Sequence, residues 1–196
     1  MRIPITQEML EDAQDLFEST VKEDRIRKWG EPWKGLIGAL GELEVLKFLW
    51  TNNVEAKKAT ILTHDIDLAP NYRLEVKTQR SKIRPELHYG LNFNQDNWEF
   101  EEADFIFFTV VQVTGTFENP TFDSIHLFGG CSKDKFLRLA TENLAGTTIY
   151  RYDGKGNKIQ TPNYWKKDSY EITGHHLTPA LKTVEYFRTL QTKENQ

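Results

Sequence analysis

The sequence predicts a mixed α/β fold, a central β-sheet flanked by helices, and three observations carry that expectation. A dense apolar run from Phe105 to Val113 has strand length and reads as a central strand buried on both faces. Short segments between Val54 and Thr78 alternate and are separated by turn residues, as a series of strands would be. Stretches at both ends of the chain repeat apolar residues at spacings of three and four, the signature of amphipathic helices.

The elements follow in order. Thr6 can cap a helix whose stripe is Met9, Leu10, Ala13, Leu16, Phe17 and Val21. Gly30-Glu31-Pro32 punctuates the chain, and Pro32 suits the first turn of a second helix reaching about Trp50. In that helix Gly35, Gly38 and Gly41 recur every three residues, although each glycine costs about 1 kcal/mol relative to alanine. A face stripped of side chains at that cost implies the close approach of another backbone or of a ligand.

Val54–Thr60, Ile61–Leu68 and Arg73–Thr78 read as three strands, with Ala69-Pro70-Asn71-Tyr72 turning between the last two. After the Phe105 run, a strand around Ser124–Phe128 leads through Gly129-Gly130 to a helix capped by Ser132. Thr147–Asp153 and Lys158–Thr161 flank Gly154-Lys155-Gly156-Asn157, a hairpin turn. Tyr164–Thr173 gives a last strand. Thr178-Pro179 then opens a C-terminal helix with Leu181, Val184, Phe187 and Leu190 inward.

A chain of 196 residues supports a single domain over 1–196 with a sizeable core, and 12% aromatic content argues against disorder. Nothing approaches the roughly 20 consecutive apolar residues of a membrane span. No apolar segment follows Met1-Arg2-Ile3-Pro4 as a secretory signal requires, and Cys131 stands alone, so a reducing, cytoplasmic setting is expected. The net charge of -4 is unlike that of a general phosphate binder. Basic residues nevertheless cluster locally, at Lys22, Arg25, Arg27, Lys28 and Lys34 and again at Lys77, Arg80, Lys82 and Arg84. An enzyme that holds metal ions also needs carboxylates, so overall acidity does not exclude a nucleic-acid substrate.

Strand periodicity places Leu74, Val76 and Thr78 on one face and Glu75, Lys77 and Gln79 on the other. The preceding strand sends Ile66 and Leu68 inward and leaves Asp65 and Asp67 on the polar side. A loop of Ala69-Pro70-Asn71 sets Asp65 opposite Glu75, whereas a loop of Pro70-Asn71-Tyr72 sets Asp67 there. Either register brings two carboxylates to Cβ separations of about 4.5–5.5 Å beside a lysine. Oxygen ligands of this kind favour Mg²⁺, with Mn²⁺ as a substitute. A lysine beside them can contact a phosphate or, with its pKa lowered from about 10.4, act on the attacking water.

Asp65 followed by Glu75-Val76-Lys77 resembles the motif of the PD-(D/E)XK nuclease superfamily, which includes many restriction and repair nucleases. Glu42, in Gly38-Ala39-Leu40-Gly41-Glu42, resembles the helical glutamate that often supplements the metal site in that family. The resemblance implies a restriction-endonuclease-like α-β-β-β-α-β core over about 32–113, with the C-terminal strands and helix as an elaboration. It also implies a Mg²⁺-dependent endonuclease that hydrolyses DNA, of which a type II restriction enzyme is the leading subtype, working as a homodimer. Asp65 (or Asp67) and Glu75 would bind the metal with the Val76 carbonyl, Lys77 would position or activate the water, and Glu42 would assist. Gln79 and Arg80 follow on the same strand as candidate substrate contacts, with an ordinary exposed strand glutamine the alternative for Gln79. The residue before Asp65 is His64 where the family tends to have proline. Ser81–Asp104, where a crossover helix is expected, carries Pro85, Gly90 and Asn92.

A non-catalytic nucleic-acid- or protein-binding module on the same fold, or an RNA-cleaving nuclease, remains an alternative reading. His175-His176 have no partner at ligand spacing and read as a loop, and only closeness in sequence brings His88 to the site. Trp29 and Trp33 among basic residues could stack on bases, although packing aromatics are commoner. Gly154-Lys155-Gly156 has no helix after it and is not a phosphate loop.

Overall fold

A computed structural model describes residues 1–20, 32–60, 64–94, 102–116, 118–152, 158–165 and 168–193. In chain order these form β1 (Arg2–Pro4), α1 (Gln7–Thr20), α2 (Pro32–Thr51), β2 (Ala56–Lys58), β3 (Ile66–Leu68), β4 (Tyr72–Ser81) and β5 (Gly90–Asn94). There follow β6 (Phe105–Gly115), β7 (Pro120–Ser132), α3 (Lys133–Leu139), β8 (Thr141–Asn143), β9 (Thr148–Tyr152), β10 (Lys158–Tyr164), β11 (Ser169–Thr173), β12 (Thr178–Pro179) and α4 (Ala180–Lys193).

The class is α/β, with a mixed central sheet ordered β1-β7-β6-β4-β3-β2 and β12 added against β7. Its parallel pair, β4 with β6, matches Glu75 to Ile106 and Lys77 to Phe108. The segment Phe105–Val113 is the central strand that its unbroken apolar character predicts, hydrogen-bonded on both sides and buried over most of its length. Alternation then divides the core. Leu74, Val76, Phe105 and Phe107 face α1, α2 and α4, where Ala13, Leu40, Leu49, Val184 and Phe187 pack. Ile106, Phe108 and Val110 face the other way, onto Phe136 of α3 and onto Leu91, Phe93 and Ile172 of a second sheet ordered β5-β11-β8.

The helix starts are capped as the sequence implies. The Met9 amide donates to Thr6 Oγ1 at 3.3 Å and the Lys135 amide to Ser132 Oγ at 3.2 Å. In α2, a Cβ at Gly41 would lie 1.8 Å from Thr78 Oγ1, and one at Gly35 would lie 2.0 Å from the Phe17 ring. These two glycines let α2 settle on β4 and α1 settle on α2. Gly38 meets nothing within 4 Å, so packing does not explain it. Gly129 has φ +129° and its missing Cβ would meet the Thr178 carbonyl at 1.9 Å, which lets β12 close against the bulge between β6 and β7.

Several expectations change. Between β4 and β6 the described residues form β5 and no helix, so the second helix of an α-β-β-β-α-β core is not seen there. Pro85 interrupts that segment, and Leu91 and Phe93 alternate at strand spacing to bury against the sheet. In α4 Val184 and Phe187 are buried and Leu190 packs against the core as expected, but Leu181 is 56% exposed, and Ala180 and Thr183 complete the inner face in its place. Tyr164–Thr173 is divided, with Tyr164 ending β10 and Ser169 beginning β11. The expected first two strands are shorter, at Ala56–Lys58 and Ile66–Leu68. Val21, Lys22, Arg25, Arg27, Lys28, Trp29 and the turn at Gly154–Asn157 lie outside the described residues. Among those described, no helix is long and apolar enough to cross a membrane.

A candidate carboxylate–lysine site at the end of β3

The β3–β4 hairpin pairs Ile66 with Leu74, Asp67 with Arg73 and Leu68 with Tyr72, which leaves Ala69-Pro70-Asn71 as the loop. Of the two registers open to the sequence, this is the one that aligns Asp65 with Glu75. The ladder stops before that pair is made, and the Asp65 amide donates instead to the Leu74 carbonyl at 3.1 Å. The Asp65 carboxylate then accepts the Val76 amide hydrogen at 2.8 Å, occupying a hydrogen-bonding position that a neighbouring strand would otherwise fill. This holds the carboxylate near the plane of the sheet, within reach of both faces.

On the helical face, Glu42 of α2 lies against Asp65 and pairs with Lys58 of β2. Lys58 reaches that face because the β2–β3–β4 register places it in one row with Ile66 and Leu74. The Glu42 carboxyl is pushed up to about 7, first by burial and then by the negative charge of Asp65, with Lys58 pulling it back. On the opposite face Glu75, only 7% exposed, pairs with Lys77. The Lys77 ammonium also lies 4.3 Å from the centre of the Phe93 ring, so β5 roofs the pair and limits its access to water.

Asp67 is turned to other partners. Its Oδ1 lies 2.6 Å from Nε2 of buried His64, and its Oδ2 lies 3.8 Å from Lys57. With Arg73 it lines an open depression of about 560 Å³ beyond the hairpin. The Gln79 side chain is engaged by the backbone of β5 around Asn92. Arg80 is exposed, its guanidinium 4.6 Å above the Trp33 ring. His175 and His176 form a short 3-10 turn before β12, and His88 lies 3.6 Å from Glu86.

The donor chemistry suits a hard divalent ion in one respect: Glu42 and Asp65 are two carboxylates in contact, the first with its pKa raised by burial and by the charge of the second, a pair that a dication relieves. Among the described residues, no three His, Cys, Asp or Glu side chains are grouped closely enough to hold an ion by themselves. An ion at Asp65 and Glu42 would therefore complete its shell with water and substrate oxygens, the mode that Mg²⁺ favours.

Lys58 and Phe93 are the neighbours that sequence reasoning missed. Lys58 needed the β2–β3 register, which the uneven segment between the strands conceals. Phe93 needed β5 to be read as a strand rather than as part of a crossover helix. In comparisons with known proteins, no family model and no curated protein matches the chain.

Proposed function

We propose that the chain is a Mg²⁺-dependent endonuclease that hydrolyses DNA phosphodiester bonds, with Mn²⁺ able to substitute. The observation that carries the reading is the convergence on Val76: Asp65 takes its amide hydrogen, while Glu42 lies on one side and the Glu75–Lys77 pair on the other. A strand-borne Glu-X-Lys beside a helix glutamate and a hairpin aspartate also supports a restriction-endonuclease-like core in α2, β2, β3, β4 and β6, with β5 in the place of the crossover helix.

In this reading Asp65 and Glu42 are the main metal-binding carboxylates, with the Val76 carbonyl and Glu75, from the other face of the sheet, as further candidate ligands. Bound there, Mg²⁺ would polarise the scissile phosphate and stabilise the charge that develops on it. Lys77 is held by Glu75 and the Phe93 ring, and in this reading its ammonium would meet the phosphate and the attacking water. Glu42 would hold the ion as a carboxylate, and Lys58, already paired with it, would steady that charge. Type II restriction cleavage by a cytoplasmic homodimer is the subtype proposed.

The test is plasmid DNA incubated with purified protein and Mg²⁺. Cleavage should be lost in Glu75→Ala and in Lys77→Ala. Unchanged cleavage in both variants removes the site assignment, and cleavage of RNA alone transfers the chemistry to another substrate.

A further inference from the structure

The strand that bears Glu75 and Lys77 runs on to Ser81, about 13 Å beyond Lys77 at the usual strand rise, a span of roughly four base-pair steps. At that end the sheet face changes character. Instead of Ile106, Phe108 and Val110 it carries a polar row, Ser81, Gln112 and Ser124, aligned across β4, β6 and β7. Ser81, Ser124 and His126 are all buried. The Ser124 hydroxyl lies 3.1 Å from His126 Nε2, and the Arg2 Nε donates to that hydroxyl at 3.1 Å.

Arg2 and Arg84 stand at this floor, and exposed Lys82 is near Arg84 along the chain. Arg2 lies alongside His126 in the β1–β7 register, and Lys82 and Arg84 follow directly on β4. The charges of Arg2, Arg84 and the Met1 ammonium all act on His126, which burial and these neighbours hold down at about 4. Among the described residues Arg2, Lys82 and Arg84 have no carboxylate at ion-pair distance. The depression at the other end of the hairpin differs in this. There Lys57 faces Asp67 at 3.8 Å, and Arg73 pairs with Glu102 at 2.7 Å and Asp104 at 3.6 Å. A polyanion entering that depression would have to displace carboxylates. At the far end of β4 it would meet cations already without them.

The geometry points to a docking strip for a sugar–phosphate backbone, formed by Arg2, Lys82 and Arg84 over the Ser124–His126 floor. It rests on the nuclease reading for its occupant and extends the path of that substrate away from Lys77. Because Lys82 and Arg84 are exposed, replacing them removes charge without disturbing the core.

The experiment is equilibrium binding of a fluorescent 20-base-pair DNA duplex in EDTA, over a range of salt, for wild type, Lys82→Gln/Arg84→Gln and Lys57→Gln. The double variant should bind roughly tenfold more weakly at low salt, and its plot of log K against log salt should flatten by about two. Lys57→Gln should behave as wild type. DNA binding should also raise the His126 pKa in an NMR titration, because bound phosphate offsets the surrounding cations. A double variant with wild-type affinity and salt slope overturns the strip, as does a wild type that does not bind. So does loss of binding to phosphatidylserine vesicles with DNA binding intact, which would assign the cations to a lipid surface. Binding is read without metal, so Mg²⁺-dependent cleavage can fail while the strip stands, or the reverse.

Discussion

The carboxylate of Asp65 accepts the backbone amide hydrogen of Val76 at 2.8 Å, so one side chain both ends the β3–β4 ladder and lies against a second carboxylate, Glu42. Its structural and chemical roles can be separated by substitution. Asparagine keeps an acceptor for the Val76 amide and removes the charge, whereas alanine removes both.

Asp65→Asn should fold with near wild-type stability, and Asp65→Ala should lose about 1–3 kcal/mol because Val76 is buried and its amide would lack this partner. Both should lose cleavage on the order of 100-fold. Urea denaturation beside a plasmid assay checks this. Equal stabilities for the two variants would show that the hydrogen bond contributes little.

Glu42 sets a pH dependence. Its folded pKa of about 7 lies above the ordinary 4.5, so the folded chain binds the proton more tightly than the unfolded chain. This contribution is complete below 4.5 and is lost as pH rises toward 7. Glu42→Gln should therefore flatten the decline of Tm across that window and raise Tm at pH 8 relative to wild type. A decline that persists unchanged in the variant would locate the titrating group elsewhere.

Lys77→Met should destabilise the fold by about 1–3 kcal/mol, because it strands the buried Glu75 carboxylate. Adding Glu75→Gln should recover much of that loss, giving a double-mutant cycle with coupling above about 0.5 kcal/mol. Additive stabilities would mean that the pair is solvated and independent. Lys77→Arg should fold, since a guanidinium can also lie on the Phe93 ring, and should cleave poorly, since it spreads its charge over a planar fork instead of presenting the compact ammonium.

The α2 glycines separate cleanly. Gly38→Ala should stabilise by about 1 kcal/mol, since its Cβ meets nothing. Gly41→Ala should destabilise by about 1–3 kcal/mol against Thr78, and Thr78→Ala should offset part of that cost. Thermal unfolding of the three variants decides it.

These sites also mark what the sequence made legible. Local rules sufficed for the Thr6 and Ser132 caps, for the Phe105 strand and for the shared side of Glu75 and Lys77, because each depends on neighbours within a few residues. The choice between Asp65 and Asp67 opposite Glu75 was open because it turned on one step of hairpin register. Lys58 was hidden for a similar reason, as its place beside Glu42 follows from how α2 lies across β2. Residues 82–94 misled in kind: the family resemblance asked for a helix, while Leu91 and Phe93 had a second apolar surface to cover. Leu181 stands at the edge of the α4 stripe, where Ala180 is buried instead. The three glycines looked alike in sequence and differ only in what stands opposite them.

The single cysteine has a practical consequence. Cys131 is buried beneath α3, and burial pushes its thiol up to about 11, so at neutral pH it is almost wholly protonated and poorly nucleophilic. The chain thus comes close to being a cysteine-free background. A new surface thiol, introduced by Lys82→Cys or by Arg80→Cys, should take a maleimide dye or spin label at one position. Labels at those two positions would report separately on the far end of β4 and on the Trp33 side as a nucleic acid is added.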